Sequence, residues 1–334
     1  MTNDAARTPT DVRQNEVAPR KISVRRLLRG EGTLLIALIV LYVFLSFVAP
    51  NFITVTNNFN IIRQAAFVGI IAWGMTLVIV SGEIDISVGS NVALTSALLG
   101  VLVAQHGIPI ALAIIIVLGV GAVIGVGAGA LRAFLNVPSF IATLALYLSL
   151  RGLALYITNA FPNSIESSRF NYFGSGYFLG VPVPAIIMLV LFVAFFFISR
   201  KTIFGRSVYA VGGNAEAAKL SGLSVSGVRV IVFAMTGLLA ALTGVLLSAQ
   251  LSSGNPGIGV GLEFNVIAAV IIGGASLTGG SGTMFGTLLG VLFVTVLNNG
   301  LVLLGVNSYL QNVASGVIVL VAVLLSSVRK SPAA

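Results

Sequence analysis

The sequence predicts an all-α membrane protein in which about ten helices form a bundle across the bilayer. Only 8% of the 334 residues are charged and 57% are hydrophobic, whereas about 25% of the residues in a soluble domain are charged. A chain with so few charges cannot maintain a surface that faces water. Its apolar runs approach the roughly 20 residues that a spanning helix needs, and short polar connections separate them.

Ten apolar segments are candidates for spanning helices. In chain order they cover residues 33–48, 61–80, 86–104, 110–131, 140–156, 184–199, 228–251, 264–275, 283–304 and 310–328. The eighth segment is short and a cluster of glycines follows it, so its length alone leaves open whether it crosses or turns back. Glycines recur at every fourth residue at 121, 125 and 129, and again at 282, 286 and 290. Such spacing predicts close contact between helices in a membrane.

Basic residues set the predicted orientation, because connections on the cytoplasmic side carry an excess of Lys and Arg. Bases are concentrated in the tail 1–30 and in the loop 200–227, and Arg329 and Lys330 follow the last segment. All three regions lie on one side only if the eighth segment crosses. We therefore predict that it crosses and that both termini are cytoplasmic. The predicted parts are a basic tail over 1–30, a transmembrane domain over 31–328 and a tail over 329–334.

Composition excludes several chemistries. The chain has no cysteine and one histidine, His106, which excludes disulfides, thiolate metal sites and paired-histidine zinc sites. No Gly-Lys pair occurs, so the phosphate-binding loop of ATPases is absent. We predict no catalytic residue, no metal and no cofactor in this chain. The net charge of +9 is concentrated beside apolar segments, which predicts a bilayer and not a nucleic acid as the partner.

Two acidic residues, Glu83 and Asp85, interrupt what would otherwise be one long apolar stretch. Ionisable groups at membrane depth are costly and often functional, so both are candidates for the translocation path. The pattern favours Asp85 and Ser87 as caps of the next helix, because their oxygens accept hydrogen bonds from free backbone N–H groups. A proton relay is the alternative. Glu83 is not explained as a cap.

Four further polar residues of the apolar segments are candidates for the translocation path: Arg151, Asn265, Asn298 and Asn299. Arg151 can extend to the membrane surface or pair with a carboxylate inside the bundle. The amides of Asn298 and Asn299 can bind across helices or line a hydrated path. The sequence does not decide between these alternatives.

The loop 200–227 contains a second predicted site. Asn214 is a favourable N-cap, residues 215–220 are good helix formers, and Gly222 can end a helix. Within this helix, Glu216-Ala217-Ala218, followed by Gly222, resembles the E-A-A-x-x-x-G loop of ATP-binding-cassette (ABC) importer permeases. Blocks at 84–90, 140–144, 151–152, 273–280 and 297–301 resemble the ribose-type branch of that family. The chain departs from the general importer pattern, since the usual Leu-Pro pair after Gly222 is absent.

The resemblance implies a role for the loop and for the whole chain. In that family the segment is a coupling helix that binds the ATPase, which gives this role to Gly213, Asn214, Glu216, Ala217, Ala218 and Gly222. It further implies a permease homodimer in the bacterial inner membrane, a separate ATPase subunit that binds ATP, and a periplasmic sugar-binding protein. The expected activity is inward movement of a ribose- or xylose-like monosaccharide by alternating access, with no enzyme activity in this chain.

Other functions remain open at this point. An ion-coupled secondary transporter would use Glu83 and Asp85, and a passive channel would need neither an ATPase nor a gradient of ions. An importer of the same class could also carry a nucleoside, a polyol or a signalling molecule.

Overall fold

The computed structural model describes residues 31–328, and the predicted tails 1–30 and 329–334 lie outside this range. Numbered in chain order, its helices are α1 (Glu31–Val48), α2 (Val55–Val80), α3 (Val88–Gly100, continued by a π-helical turn over Val101–Gln105), α4 (Ile110–Phe134), α5 (Ser139–Ile157), α6 (Ser168–Ser175), α7 (Val183–Lys201), α8 (Ile203–Gly213), α9 (Ala215–Leu220), α10 (Val225–Leu251), α11 (Leu262–Ile272), α12 (Met284–Leu303) and α13 (Ser308–Val328). The strands, each of two residues, are β1 (Asn163–Ser164), β2 (Tyr177–Phe178), β3 (Val181–Pro182) and β4 (Ser253–Gly254).

The ten predicted segments all coincide with helices, which confirms the all-α membrane bundle. Within residues 31–328, eight helices are long and apolar enough to cross a membrane: α1 to α5, α7, α10 and α12. Helix α11 occupies the eighth predicted segment and α13 the tenth. The sequence did not predict α6 or α8. The cytoplasmic position of the termini stays a prediction.

The bundle has two distinct ends. One end bears α8 and α9, and we call it the α8/α9 end. The opposite end bears residues 158–182, where β2 pairs with β3 and β1 pairs with β4. The described chain begins at the α8/α9 end, because Glu31 accepts a hydrogen bond from Thr283, directly before α12.

The chain passes from one end of the bundle to the other over residues 255–282, but the eighth predicted segment, 264–275, makes only the second half of this crossing. After β4, Gly259 lies against Gly89 at the start of α3, so residues 255–261 enter the bundle; we call them the re-entrant segment. Helix α11 follows, and its 11 residues rise about 16 Å, or half the hydrocarbon thickness. The turn over 273–282 then reaches the α8/α9 end, where the Gly280 N–H donates to the Val80 carbonyl at 2.8 Å.

The predicted glycine runs produce close helix contacts, as predicted. A Cβ added at Gly125 of α4 would lie 2.2 Å from the Phe233 carbonyl oxygen of α10. A Cβ added at Gly290 of α12 would lie 1.9 Å from the Ala269 carbonyl oxygen of α11. Gly282 is the exception to the predicted helical run, since α12 begins two residues later at Met284. These bare backbones let the helices approach without the hydrophobic driving force that operates in water.

Helix α2 forms the centre of the core. Its residues from Ala65 to Val80 are buried, and the Trp73 indole N–H donates to the Met188 carbonyl of α7 at 3.2 Å. Helix α1 is peripheral and exposes large apolar side chains such as Phe44 and Phe47. An exposed apolar stripe of this kind faces lipid in a membrane bundle.

Candidate coupling surface and translocation path

Helix α9 forms where the loop sequence predicts it. The Asn214 side-chain oxygen accepts the Ala217 N–H at 2.9 Å, which satisfies one of the free donors at the helix start. Gly222 follows the helix with φ +83°, a conformation that glycine adopts without strain, and its N–H donates to the Lys219 carbonyl. The helix is confirmed, while the ATPase-binding role of Gly213, Asn214, Glu216, Ala217, Ala218 and Gly222 stays a prediction.

The outer face of α9 combines charge with one apolar side chain. Glu216, Ala217 and Lys219 are exposed, whereas Ala218 is buried against the bundle. Leu220 is 85% exposed, although it lies on a short polar helix beyond the apolar spans. The sequence analysis did not single out Leu220. Its position as an apolar residue at the end of a charged six-residue helix is a signal that would have found it.

Helix α8 connects α9 to the bundle and was missed by the sequence analysis. The Thr202 hydroxyl caps its start by accepting the Gly205 N–H at 3.0 Å. The Tyr209 hydroxyl donates to the Gly282 carbonyl at 2.8 Å, in the turn that leads into α12. Because its inner residues Val208 and Val211 are buried, α8 is packed on the bundle and not free in solution.

Glu83 lies between two arginines at the α8/α9 end. The Arg132 Nε donates to both carboxylate oxygens at 2.8 and 3.0 Å. The Arg229 Nε lies 2.8 Å from one of the same oxygens. Arg132 is near the end of α4 and Arg229 near the start of α10, so the carboxylate links three connections of the bundle. This ion-pair cluster accounts for the acidic residue that capping did not explain; the predicted path role of Glu83 stays a prediction.

Asp85 binds locally. Its carboxylate accepts the Ser87 backbone N–H at 2.9 Å and the Ser87 hydroxyl at 2.6 Å. The capping prediction is therefore wrong for Ser87, whose hydroxyl makes no hydrogen bond to the free N–H groups of α3. The Ser87 backbone has φ −72° and ψ −10°, in the helical region, whereas a residue that caps a helix start has extended backbone. Burial raises the pKa of Asp85 to about 6, and the two hydrogen bonds from Ser87 oppose the rise.

Arg151 of α5 binds the re-entrant segment. Its Nη1 donates to the carbonyls of Pro256 at 3.0 Å and Ile258 at 2.7 Å. The sequence did not predict these contacts with backbone oxygens, and the guanidinium also interacts electrostatically with the buried carboxylate of Glu263. Among the described residues, its Nε and Nη2 are buried without a hydrogen-bond partner.

Glu263 is the buried acid that the sequence analysis did not place among the path candidates. It lies at the start of α11, is fully buried, and accepts the Gly261 N–H through Oε1 at 3.2 Å. Its Oε2 has no hydrogen-bond partner in the part of the chain that is described. The carboxylate lies against the bare backbone of Gly89 at the start of α3, where the positive end of the helix dipole favours a negative charge.

The path candidates on α11 and α12 divide into two kinds. Asn299 exchanges two hydrogen bonds with Asn57 of α2, at 3.1 and 2.9 Å, in a buried pair. Of the two alternatives for this amide, the structure shows binding across helices. Asn298 is half-buried and makes one long contact of 3.4 Å with Asn265. The Asn298 and Asn265 side chains therefore lie together, on a partly open face of α11 and α12.

Residues 57–324 match the protein family described as "Branched-chain amino acid transport system / permease component". The chain belongs to this permease family. With eight helices in residues 31–328 that can span a membrane, this permease is a multi-pass protein of the inner membrane, as predicted. The helices and motifs described above therefore belong to a transport permease.

Several curated relatives of this permease are similar over most of their length. The probable ABC transporter permease protein YphD of Escherichia coli (strain K12) is 56% identical over 88% of this chain and 89% of its own. The ribose import permease protein RbsC of the same organism is 44% identical over 89% of this chain and 93% of its own. The xylose transport system permease protein XylH of Haemophilus influenzae is 34% identical over 89% of this chain and 96% of its own. No solved structure matches this chain.

Proposed function

We propose that this permease is the membrane-spanning subunit of an ABC importer that moves a monosaccharide inward by alternating access, driven by a separate ATPase subunit. The observation that carries the proposal is the position and exposure of α9. This capped helix lies at one end of the membrane bundle, and two residues of its E-A-A motif, Glu216 and Ala217, are exposed.

The exposed face of α9 suits a docking contact with a soluble subunit. Leu220 offers an apolar anchor, and Glu216 and Lys219 offer charges beside it. Interfaces gain most of their affinity from a few central anchors surrounded by polar residues. Because α8 ties this helix to the bundle through Tyr209, force applied to α9 would reach the membrane domain.

A pentose is the cargo that the relatives favour. The names of three related permeases refer to ribose, xylose and L-arabinose. These relatives are 34 to 44% identical to this chain. Their names are therefore a better guide to the cargo than the family description, which refers to branched-chain amino acids. A periplasmic sugar-binding protein would deliver the cargo at the end opposite α8 and α9.

The half-buried pair Asn265 and Asn298 supports a second permease copy. An amide at membrane depth is costly unless it is hydrogen-bonded, because hydrocarbon offers no partner, and the Asn298 Oδ1 has none among the described residues. A homodimer that joins two copies on this face would shelter both amides beside a hydrated path. Sugar hydroxyls, which donate and accept hydrogen bonds, are suited to amide groups in such a path.

An ion-coupled transporter is less well supported. That mechanism requires carboxylates that take up and release a proton or sodium ion during transport. Glu83 is held in ion pairs by Arg132 and Arg229, so its carboxylate is already engaged by two fixed cations. Only Asp85 of the two predicted acids then remains available.

Co-purification with the ATPase tests the proposal. The chain is co-expressed with the candidate ATPase, and the complex is purified in detergent through a tag on the ATPase. We expect the wild-type permease to co-purify and the Glu216→Arg and Leu220→Asp variants to lose at least about tenfold of the bound permease, as for loss of an interface anchor.

Matched controls make the same changes at the opposite end of the bundle. Glu166 is exposed there and Leu179 is 88% exposed, so Glu166→Arg and Leu179→Asp should co-purify as the wild type does. If the wild-type permease never associates with the ATPase, the proposal is wrong. Uptake of labelled ribose and xylose that continues without the ATPase and stops with an uncoupler would favour ion coupling instead.

A further inference from the structure

Three backbone segments meet without intervening side chains at the α8/α9 end. They are the end of α2 with Val80 and Gly82, the end of α8 with Gly212, and the turn before α12 with Gly279 and Gly280. We call these five residues the glycine junction. The Gly280 N–H donates to the Val80 carbonyl at 2.8 Å.

The end of α8 lies directly on this hydrogen bond. A Cβ added at Gly212 would lie 1.7 Å from the Val80 carbonyl oxygen and 2.7 Å from the Gly280 nitrogen. A Cβ added at Gly279 would lie 2.6 Å from the Gly212 carbonyl oxygen and 3.0 Å from the Gly82 backbone. Each of the three segments therefore touches the other two through backbone atoms.

Contacts of this kind transmit displacement efficiently. Side chains can absorb a small movement by changing rotamer, whereas close-packed backbone atoms cannot. A second link runs in parallel, since the Tyr209 hydroxyl of α8 donates to the Gly282 carbonyl at 2.8 Å. The hydroxyl is protonated and able to donate at neutral pH, and burial raises the pKa of Tyr209 further. A shift of α8 must therefore move the end of α2 and the turn together.

The junction leads to two parts of the membrane domain. On one side Gly82 precedes Glu83, whose carboxylate is held by Arg132 at the end of α4 and by Arg229 at the start of α10. On the other side the turn connects α11 and α12, which carry the Asn265 and Asn298 pair.

We propose that the glycine junction passes the movement of α8 and α9 to the α2–α3 connection and to the α11–α12 turn, with Gly212 as its positioning residue. This inference rests on the proposed function, because the movement is the one that the ATPase would impose on α9. The junction acts after docking, so its loss should separate ATPase binding from transport.

The test compares Gly212→Ala with Gly127→Ala in the complex of permease, ATPase and sugar-binding protein. Gly127 lies in α4 and has nothing within 4 Å of an added Cβ, so it controls for the same substitution in a helix. We expect Gly212→Ala to co-purify with the ATPase while sugar uptake in proteoliposomes falls by roughly tenfold, the scale of mutations along a coupling route. Gly127→Ala should transport as the wild type does.

Tyr209→Phe keeps the test decisive if Gly212→Ala fails to fold. This variant removes one hydroxyl and leaves the glycine packing in place, so we expect uptake to fall by about threefold, as for loss of one hydrogen bond. Stimulation of ATP hydrolysis by the sugar-binding protein should fall in parallel, a readout that a purely structural role would leave unchanged per assembled complex.

The outcomes separate this inference from the proposed function. The junction proposal is supported if Tyr209→Phe reduces sugar uptake per assembled complex. This result counts whether or not the Gly212→Ala variant folds. Wild-type uptake by both variants, or by Tyr209→Phe when it alone folds, overturns it while leaving the importer assignment intact. Failure of the wild-type permease to bind the ATPase overturns the proposed function and this inference with it.

Discussion

Two buried glutamates in different parts of this permease have opposite surroundings. Glu83 lies at the α8/α9 end with its carboxylate between Arg132 and Arg229, and both of its oxygens accept from Arg132. Glu263 lies at the start of α11, where one oxygen accepts a backbone N–H and the other has no partner in residues 31–328.

The difference indicates two uses of a buried charge. A carboxylate with two arginines is costly to separate, because each group would be left as an uncompensated charge. It therefore fixes the relative positions of the α2–α3 connection, α4 and α10. A carboxylate held by one backbone N–H and a helix dipole has weaker local restraints. Arg151, bound to the same re-entrant segment, is similarly incompletely paired.

The largest effect is expected for Glu83→Gln. The neutral amide leaves Arg132 and Arg229 without a counter-charge, and their side chains are only 25% and 16% exposed. Breaking such a pair costs about 3 kcal/mol of unfolding free energy. Unfolding by SDS in mixed micelles measures this loss. Glu166→Gln, at an exposed position, should leave the unfolding midpoint unchanged, and equal midpoints for all three proteins would contradict the ion-pair interpretation.

A smaller effect is expected from the pH dependence contributed by Asp85, which adjoins the Glu83 cluster. Burial raises its pKa from 3.8 to about 6 in the folded protein, so the folded state holds a proton that the unfolded state has released. Stability from this group is fully present below pH 4 and is lost as the pH rises through about 6.

The loss should exceed about 1 kcal/mol, because one pKa unit corresponds to roughly 1.4 kcal/mol. Unfolding midpoints measured from pH 4 to pH 8 for the wild type and for Asp85→Asn would reveal it. The wild type should lose stability relative to the variant across this range. Parallel profiles would show that the carboxyl of Asp85 titrates alike in the folded and unfolded chains.

The smallest effect is expected for Glu263→Gln. The amide oxygen can still accept the Gly261 N–H, and the change removes a charge that has no direct ion pair among the described contacts. The unfolding free energy should change by less than about 1 kcal/mol or rise slightly. A loss as large as that of Glu83→Gln would mean that Glu263 is paired with Arg151, and the contrast between the two glutamates would disappear.

Part of the candidate site was predictable from local sequence. Asn214 and Gly222 bracket α9 because an N-cap and a C-terminal glycine act within a few residues of the helix that they end. Helix α8 was missed, because its 11 residues include three glycines, which lower helix propensity. Its stability comes from packing on the bundle through residues such as Val208.

The partners of the polar residues were not predictable in the same way. Asn57 and Asn299 are separated by 242 positions, and Glu83 is 49 positions from Arg132. Sequence analysis identified Glu83 and Asn299 as candidates but not their partners Arg132 and Asn57. The capping prediction for Ser87 was wrong because its backbone already has helical dihedral angles, which local sequence does not reveal.

The sequence by itself determined that the chain enters a membrane, where its ten apolar segments lie and where the short helix α9 begins and ends. These properties are local, since in lipid each helix satisfies its backbone hydrogen bonds within its own segment. Only the tertiary structure decided which charges meet, that Arg151 binds the re-entrant segment and that Gly212 touches Val80. Those contacts depend on how the helices pack, and packing is set by complementary surfaces from distant parts of the chain.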